Sequence, residues 1–319
     1  MVTRLAILDD YQNVALESAD WGALPPEVEI TVFNEYIEGE KAVAEALSDF
    51  DIVVAMRERT PFPASLIDGL PNLKLLVTTG MRNLAIDMEA ARARGLPVCG
   101  TALLPYPAAE HAWALILALV KQIPREDRAM HEGGWQAGFA EGLRDKTLGI
   151  VGLGKLGSQV ARVGLAFGMT LIAWSQNLTE ERAAECGATR VEKDVLFSEA
   201  DIITIHLLLS DRTRGVVGRR ELGLMKPTAY LVNTSRGPIV DEAALIETLE
   251  SRAIAGAGID VYDVEPLPRD HPLRGLDNTV LTGHTAYVMR ETYTLAYGEA
   301  VEDILAWLKG EPLRVLNGG

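Results

Sequence analysis

The sequence predicts an α/β protein built from two doubly wound parallel sheets with a cleft between them. Three observations carry this. Short apolar runs rich in Val, Ile and Leu alternate with helical stretches through the first hundred residues. A long helical stretch, from about Pro107 to His131, interrupts the alternation. A second strand–helix series then runs from "TLGIVGLG" to "TVLTGH". Near-continuous apolar runs suit parallel strands covered on both faces, and each helix between them reads as a crossover. The length of 319 residues is enough for two domains.

In order, "RLAILDD", "EITVFNE", "DIVVAM", "LKLLVTT" and "LPVCGT" read as the strands of the first half. They are short and bounded by polar or Gly/Pro segments. "AVAEALSDF", "ASLIDGL" and "DMEAARARG" read as its helices, the last stopped at Gly95. The second half offers "TLGIVGLG", "TLIAWS", "DIITIHLL", "AYLVNTS", "AGAGIDV" and "TVLTGH" as strands, with helices at 155–168, 179–187, 219–225 and 241–252. The tail "RETYTLAYGEAVEDILAWLKG" has helical apolar spacing at Leu295, Ala296, Ile304, Leu305 and Leu308.

Composition narrows the function classes. The net charge of −15 disfavours nonspecific binding to nucleic acid or an anionic membrane. Two cysteines, Cys99 and Cys186, offer neither a disulfide framework nor metal-ligand spacing. The N-terminus lacks a signal peptide's apolar core, and "AWALILALV" is too short to span a bilayer. A cytoplasmic protein without metal, membrane or nucleic-acid partner is therefore expected.

The motif "GIVGLGKLG" sets Gly152, Gly154 and Gly157 in a G-x-G-x-x-G pattern where a strand ends and a helix begins. Each glycine answers a mechanical need: a tight turn, close approach of backbone to a pyrophosphate, and tight helix–strand packing. The helix N-terminus supplies free N–H groups to phosphate oxygens. Beyond the loop, three polar groups fall at successive strand ends. Arg236 follows "LVNTS", Asp260 ends "GID" with Glu265 five residues on, and His284 follows "TVLTG". Open α/β sheets bind ligands at that end of their strands. A guanidinium, a carboxylate and an imidazole there describe an acid–base site.

With these residues in place, the chain resembles the NAD(P)-dependent D-isomer-specific 2-hydroxyacid dehydrogenases. "VGLGKLG", "VNTSRGPIVDE", "GIDVYDVEP" and "LTGHTA" stand in that family's order and spacing. The resemblance implies a Rossmann cofactor domain, 103–287, inserted into a discontinuous, flavodoxin-like substrate domain of 1–102 and 288–319. It implies that Arg236, Glu265 and His284 are the catalytic trio. It also puts Lys155, Leu156, Ser175, Thr234, Ser235, Arg236 and Asp260 at cofactor-contacting positions, and it implies a homodimer, to which the apolar 107–123 helix can contribute.

The chemistry explains these residue types. Reducing a 2-keto acid brings a hydride to C2 and a proton to the carbonyl oxygen. His284 can supply that proton as imidazolium, or remove it in reverse as imidazole. A hydrogen bond to Glu265 would orient the ring and favour its charged form. Arg236 can bind the substrate carboxylate and stabilise charge on the oxygen. Asp260 can accept a hydrogen bond from the nicotinamide carboxamide. In the first half, "TTGMRNLAID" resembles the family's carboxylate-binding loop, with Gly80, Met81 and Arg82 as substrate contacts and Arg82 and Asn83 in place of small or variable residues. Arg57, in "AMRERTPF", is a further candidate contact, with Arg59 beside it. Tyr106 and Tyr287 are candidate cleft residues, while His111, His131, His206 and His271 read as structural or solvated.

Cofactor choice turns on "LIAWSQNLT". NAD-specific members usually carry Asp where Ser175 stands, and a carboxylate there repels the 2′-phosphate of NADP. Ser175 removes that repulsion, and Gln176 and Asn177 can donate to phosphate oxygens. NADP(H) is therefore expected over NAD(H). The competing reading is a non-enzymatic, dinucleotide-sensing binding protein of the corepressor type, which can keep the same trio; the lack of an extended tail favours the enzyme. Formate dehydrogenase fits less well, because its histidine is paired with glutamine rather than an ionisable glutamate.

Overall fold

A computed structural model describes residues 2–318. Along the chain come β1 (Thr3–Ile7), β2 (Val28–Val32), α1 (Glu40–Leu47), β3 (Ile52–Ala55), α2 (Ala64–Asp68), β4 (Leu75–Thr78), α3 (Met88–Ala93) and β5 (Val98–Gly100). Two helices, α4 (Pro107–Val120) and α5 (Ile123–His131), follow. Then come β6 (Thr147–Val151), α6 (Lys155–Ala166), β7 (Thr170–Trp174), α7 (Glu180–Glu185), β8 (Thr189–Arg190), α8 (Lys193–Glu199) and β9 (Ile202–Ile205). The series ends with α9 (Arg219–Leu224), β10 (Tyr230–Asn233), α10 (Glu242–Glu250), β11 (Gly256–Ile259), β12 (Thr279–Leu281) and α11 (Arg290–Leu308). The chain divides into two units, Met1–Leu104 with Val288–Gly319, and Pro105–Tyr287.

The first unit holds a five-stranded sheet, ordered β2-β1-β3-β4-β5, and every pairing is parallel. Its interior strands β3 and β4 are buried at every residue, as the unbroken apolar runs require, whereas the edge strand β2 alternates. Helix α3 stops as its sequence predicts. Gly95 takes φ +72°, and Leu96 N–H reaches back to the Ala91 carbonyl, closing a Schellman turn. The far end of the chain covers the other edge. Leu316 N–H donates to the Val98 carbonyl, Gly100 N–H to the Arg314 carbonyl, and Val98 N–H to Asn317 Oδ1.

The second unit holds a seven-stranded parallel sheet, ordered β12-β11-β10-β9-β6-β7-β8. This is the dinucleotide-binding order with one strand added, and its direction of winding reverses between β6 and β9. Both predicted doubly wound sheets are thus present.

Three local readings change. The helical stretch from Pro107 to His131 is two helices, separated at Lys121 and Gln122, with Gln122 at φ +54°. Pro124 causes the break: it has no N–H for the preceding turn, and its ring collides with the carbonyl four residues back. β8 and α8 are absent from the sequence reading. β8 spans only two residues, too few for a period to register, and α8 spans seven. In α11 the buried stripe is Thr292, Tyr293, Ala296, Tyr297, Ala300, Val301, Asp303 and Ile304. Leu308 is exposed rather than core.

Asp303 is fully buried on that stripe, paired with Arg314 Nε at 3.0 Å, while its Oδ2 has no partner. Burial pushes its carboxyl up to about 7, against the opposing pull of Arg314. A folded-state value above the unfolded one favours the protonated fold, so this contribution to stability falls as pH rises from about 4 through about 7. Asp303→Asn removes the titration. Its melting temperature relative to the parent is expected to climb between pH 5 and pH 7 and to level above; thermal scans across that range check it.

Candidate active site

The second unit gathers its polar residues at the C-terminal ends of β6, β7, β9, β10, β11 and β12. At the turn after β6, Gly152 lies at φ +101°, and a Cβ there would come within 2.7 Å of the His206 carbonyl oxygen. A Cβ on Gly157 would collide with the Gly152 carbonyl, so α6 packs against the turn only with glycine there. Nothing lies near the Cβ position of Gly154, which caps α6 without any side-chain bond. Lys155, at the start of α6, is exposed. Thr234 Oγ1 is buried and lacks a partner. A bare helix N-terminus, a turn that admits no side chain and an orphaned hydroxyl fit a bound dinucleotide.

Ser175 and Gln176 follow β7, half-buried and exposed respectively. Thr179 caps α7 by accepting from Arg182 N–H, so that donor is already engaged. Nearby cations are paired as well: Arg182 with Glu185 at 3.0 Å, and Arg190 with Glu192 at 3.1 Å.

After β10, Asn233 shapes the turn. Its Oδ1 accepts from Ser235 N–H and its Nδ2 donates to the Arg236 carbonyl. Ser235 Oγ donates to the Ile205 carbonyl at 2.7 Å, tying this turn to β9. Arg236 has extended backbone, and its Nη1 donates to the Ser235 carbonyl. At the next residue, Gly237, a Cβ would run into the backbone of Tyr262 and lie 2.6 Å from Asp263 N. The arginine turn therefore presses directly on the loop that carries the glutamate.

Glu265 is anchored at both oxygens. Oε1 accepts from Tyr262 N–H at 2.9 Å, and Oε2 meets His284 Nδ1 at 2.6 Å. A carboxylate only accepts, so Nδ1 carries the proton and Nε2 is left to exchange one. Tyr287 packs edge-on against the imidazole, with ring centroids 5.6 Å apart.

His284 itself sits at φ +53°, unusual for a residue other than glycine. Asp260 holds that turn. Its carbonyl accepts from His284 N–H at 2.7 Å, Oδ1 from Thr285 N–H at 2.8 Å, and Oδ2 from Ala286 N–H at 3.0 Å. Asp260 is fully buried. Burial alone would raise its carboxyl, yet hydrogen bonds from His111, Thr282 and the Thr285 amide hold it below the usual carboxylate range. The Asp260 carboxylate, a predicted cofactor contact, accepts from the amides of the histidine turn.

The histidines read as structural do find partners. His111 Nε2 lies 2.9 Å from Thr282 Oγ1, and His271 Nε2 lies 3.1 Å from Glu242. Burial pushes His206 down to about 4, so its ring is neutral at physiological pH, and Nε2 meets Thr204 Oγ1. No single-sequence signal marks His111, because its partners lie about 150 or more residues away, just after β11 and β12.

The first unit carries the other candidates at the ends of β3 and β4. Arg57, at φ +52°, reaches over Gly80 and donates from Nη1 to the carbonyls of Thr79 and Arg82, each at 3.3 Å. Glu58 pairs with it at 3.3 Å. Gly80 is at φ +103° and a Cβ would collide with that guanidinium. Asn83 Nδ2 braces the same loop through the Arg57 carbonyl and Thr78 Oγ1. Met81 and Arg82 are exposed at its tip. Among the described residues, no group of His, Cys, Asp or Glu side chains could hold a metal ion, and no helix is long and apolar enough to cross a membrane.

This strand order, with a glycine turn at the start of α6, is that of the doubly wound dinucleotide-binding class. Residues 113–286 match the family described as "D-isomer specific 2-hydroxyacid dehydrogenase, NAD binding domain". The chain belongs to the D-isomer-specific 2-hydroxyacid dehydrogenase family. A glyoxylate reductase of Aeropyrum pernix is 40% identical over 263 residues, which is 79% of this chain and 78% of that protein. A D-3-phosphoglycerate dehydrogenase of Archaeoglobus fulgidus is 38% identical over 82% of this chain, but the match spans only 50% of that longer protein. The crystal structure of a phosphoglycerate oxidoreductase from Vibrio cholerae o395 superimposes with a TM-score of 0.91 at 35% identity, covering 97% of this chain and all of that one. The matched domain indicates a nicotinamide dinucleotide as cofactor.

Proposed function

We propose that the protein reduces a small 2-keto acid, or oxidises the matching D-2-hydroxy acid, with His284 as acid–base. The 2.6 Å contact between His284 Nδ1 and Glu265 carries this reading. It fixes the ring and leaves Nε2 to deliver the proton to a carbonyl oxygen. Arg236 would bind the substrate carboxylate and stabilise the developing oxyanion. The unit of residues 105–287 would hold the cofactor through Gly152, Gly154, Lys155, Leu156, Gly157, Thr234 and Ser235. When bound, the reduced dinucleotide supplies the hydride. In the other unit, amides of Met81 and Arg82, beside Gly80, would hold substrate on a loop that Arg57 braces; the Gly80 N–H is itself engaged by Thr101 Oγ1. A panel of 2-keto acids with each reduced cofactor, followed at the nicotinamide absorbance, tests the reading; no turnover across the panel would overturn it.

NADP(H) is the cofactor we favour. The support is the missing carboxylate at Ser175 rather than any phosphate-binding cation, since Arg182 and Arg190 are paired. Ser175→Asp is expected to move the NADH to NADPH ratio of kcat/KM by about tenfold or more toward NADH, equivalent to about 1.4 kcal/mol, chiefly by weakening NADPH. A parent enzyme that already prefers NADH would refute the assignment.

A homodimer is the assembly we favour. Ala112, Trp113, Leu115 and Ile116 of α4 are buried within their own unit, so a contribution of the 107–123 stretch to the contact would come from its remaining residues. The next segment is different: α5 buries no residue, and Trp135 and Phe139 are 75% and 93% exposed. Exposed aromatics on one segment mark an interaction surface. Light scattering is expected to give twice the chain mass, and Trp135→Glu with Phe139→Glu to give the single mass.

A further inference from the structure

His284 owes its left-handed backbone to Asp260, which collects three consecutive amides around it. What keeps the Asp260 carboxylate aimed at that turn follows from counting protons. Thr282 Oγ1 lies 2.6 Å from Asp260 Oδ1, and a carboxylate can only accept, so the single hydroxyl proton of Thr282 points to Asp260. That hydroxyl can then only accept from His111 Nε2, 2.9 Å away. The same Nε2 lies 3.3 Å from Asp260 Oδ1. Both neighbours are acceptors, so Nε2 carries a hydrogen whatever the charge of the ring. His111 projects from α4, which packs on β10, β11 and β12. A rigid 14-residue helix thereby reaches the base of the catalytic turn.

We propose that His111 is a positioning residue for the acid–base histidine, acting through Thr282 and Asp260 to hold the 284–286 turn. The proposal rests on His284 being the acid–base. The arrangement is a chain of donors converging on one buried carboxylate: His111 and Thr282 from below, and the amides of Thr285 and Ala286 from above. Removing the lowest donor leaves Asp260 Oδ1 and Thr282 Oγ1 short of a partner in a buried place, and such groups seek new partners by moving. A small movement of Asp260 passes to His284 through the three amides, and misplacement of about 1 Å at a reacting group can cost on the order of 10²-fold.

The test uses the whole protein at saturating cofactor and one keto acid, with His284→Ala alongside. His111→Ala is expected to lower kcat by about tenfold. His111→Gln keeps an N–H donor of similar reach and is expected to restore most of that loss. In a Thr282→Val background, His111→Ala should cost much less, because both changes act along one path. In the unsubstituted protein, ring-nitrogen NMR should find the neutral His111 imidazole protonated on Nε2. A kcat equal to the parent in His111→Ala, no recovery with His111→Gln, or a hydrogen on Nδ1 alone would each overturn the proposal. Normal turnover in His284→Ala would overturn the acid–base reading and the proposal with it. Lost turnover there, with parental kcat in the His111 variants, overturns only the positioning role.

Discussion

His284→Ala is expected to lower turnover by about 10²–10⁴-fold, the usual share of general acid–base catalysis, while dinucleotide binding is largely kept. The imidazole stands on the β12 side of the sheet, and its Nδ1 is already engaged by Glu265. The glycine turn, α6 and Thr234 owe nothing to that side chain. Removing it takes away the proposed proton donor and leaves the proposed cofactor cradle intact. Single-turnover absorbance measures the chemical step, and a fluorescence titration measures binding. Near-parental turnover in a purified, folded variant would rule out the assignment.

Gly237→Ala is expected to be nearly as damaging for a different reason. The added methyl would collide with the Tyr262 backbone and sit 2.6 Å from Asp263 N. No flexible side chain is there to give way. Either the Arg236 turn or the Tyr262–Glu265 loop must shift, and Tyr262 N–H holds Glu265 Oε1. Overpacking of this kind costs about 1–3 kcal/mol, or roughly 2–4 °C of melting temperature per kcal/mol in a unit of this size. Activity should fall further than stability, because the displaced atoms hold the glutamate. A calorimetric scan and an assay on the same sample separate the two, and unchanged kcat and melting temperature would refute the argument.

Much of this was legible in the chain itself. Both parallel sheets show as apolar runs because their inner strands are covered on two faces, which removes the alternation of a half-exposed strand. The glycine turn shows because only glycine fits at 152 and 157. What stayed hidden depends on distance or brevity. Nothing near His111 announces Thr282 and Asp260. The break at Gln122 depends on one proline inside an otherwise helical pattern, and β8 is only two residues long. Asp260 is legible as a strand-end acid, but its partners are not, so its hold on the His284 turn shows only in the folded chain.

The tail that covers β5 also bears on how the chain acquires its fold. Val98 N–H is bonded to Asn317, 219 residues away, so one edge of the first sheet closes only when the last residues are present. Residues 105–287 are contiguous and hold a complete seven-stranded sheet. At synthesis rates of about 5–20 residues per second, that sheet has all its strands before the tail has left the ribosome. The first unit therefore begins earlier than the second and closes its β5 edge later, because that edge waits for the 310–318 tail.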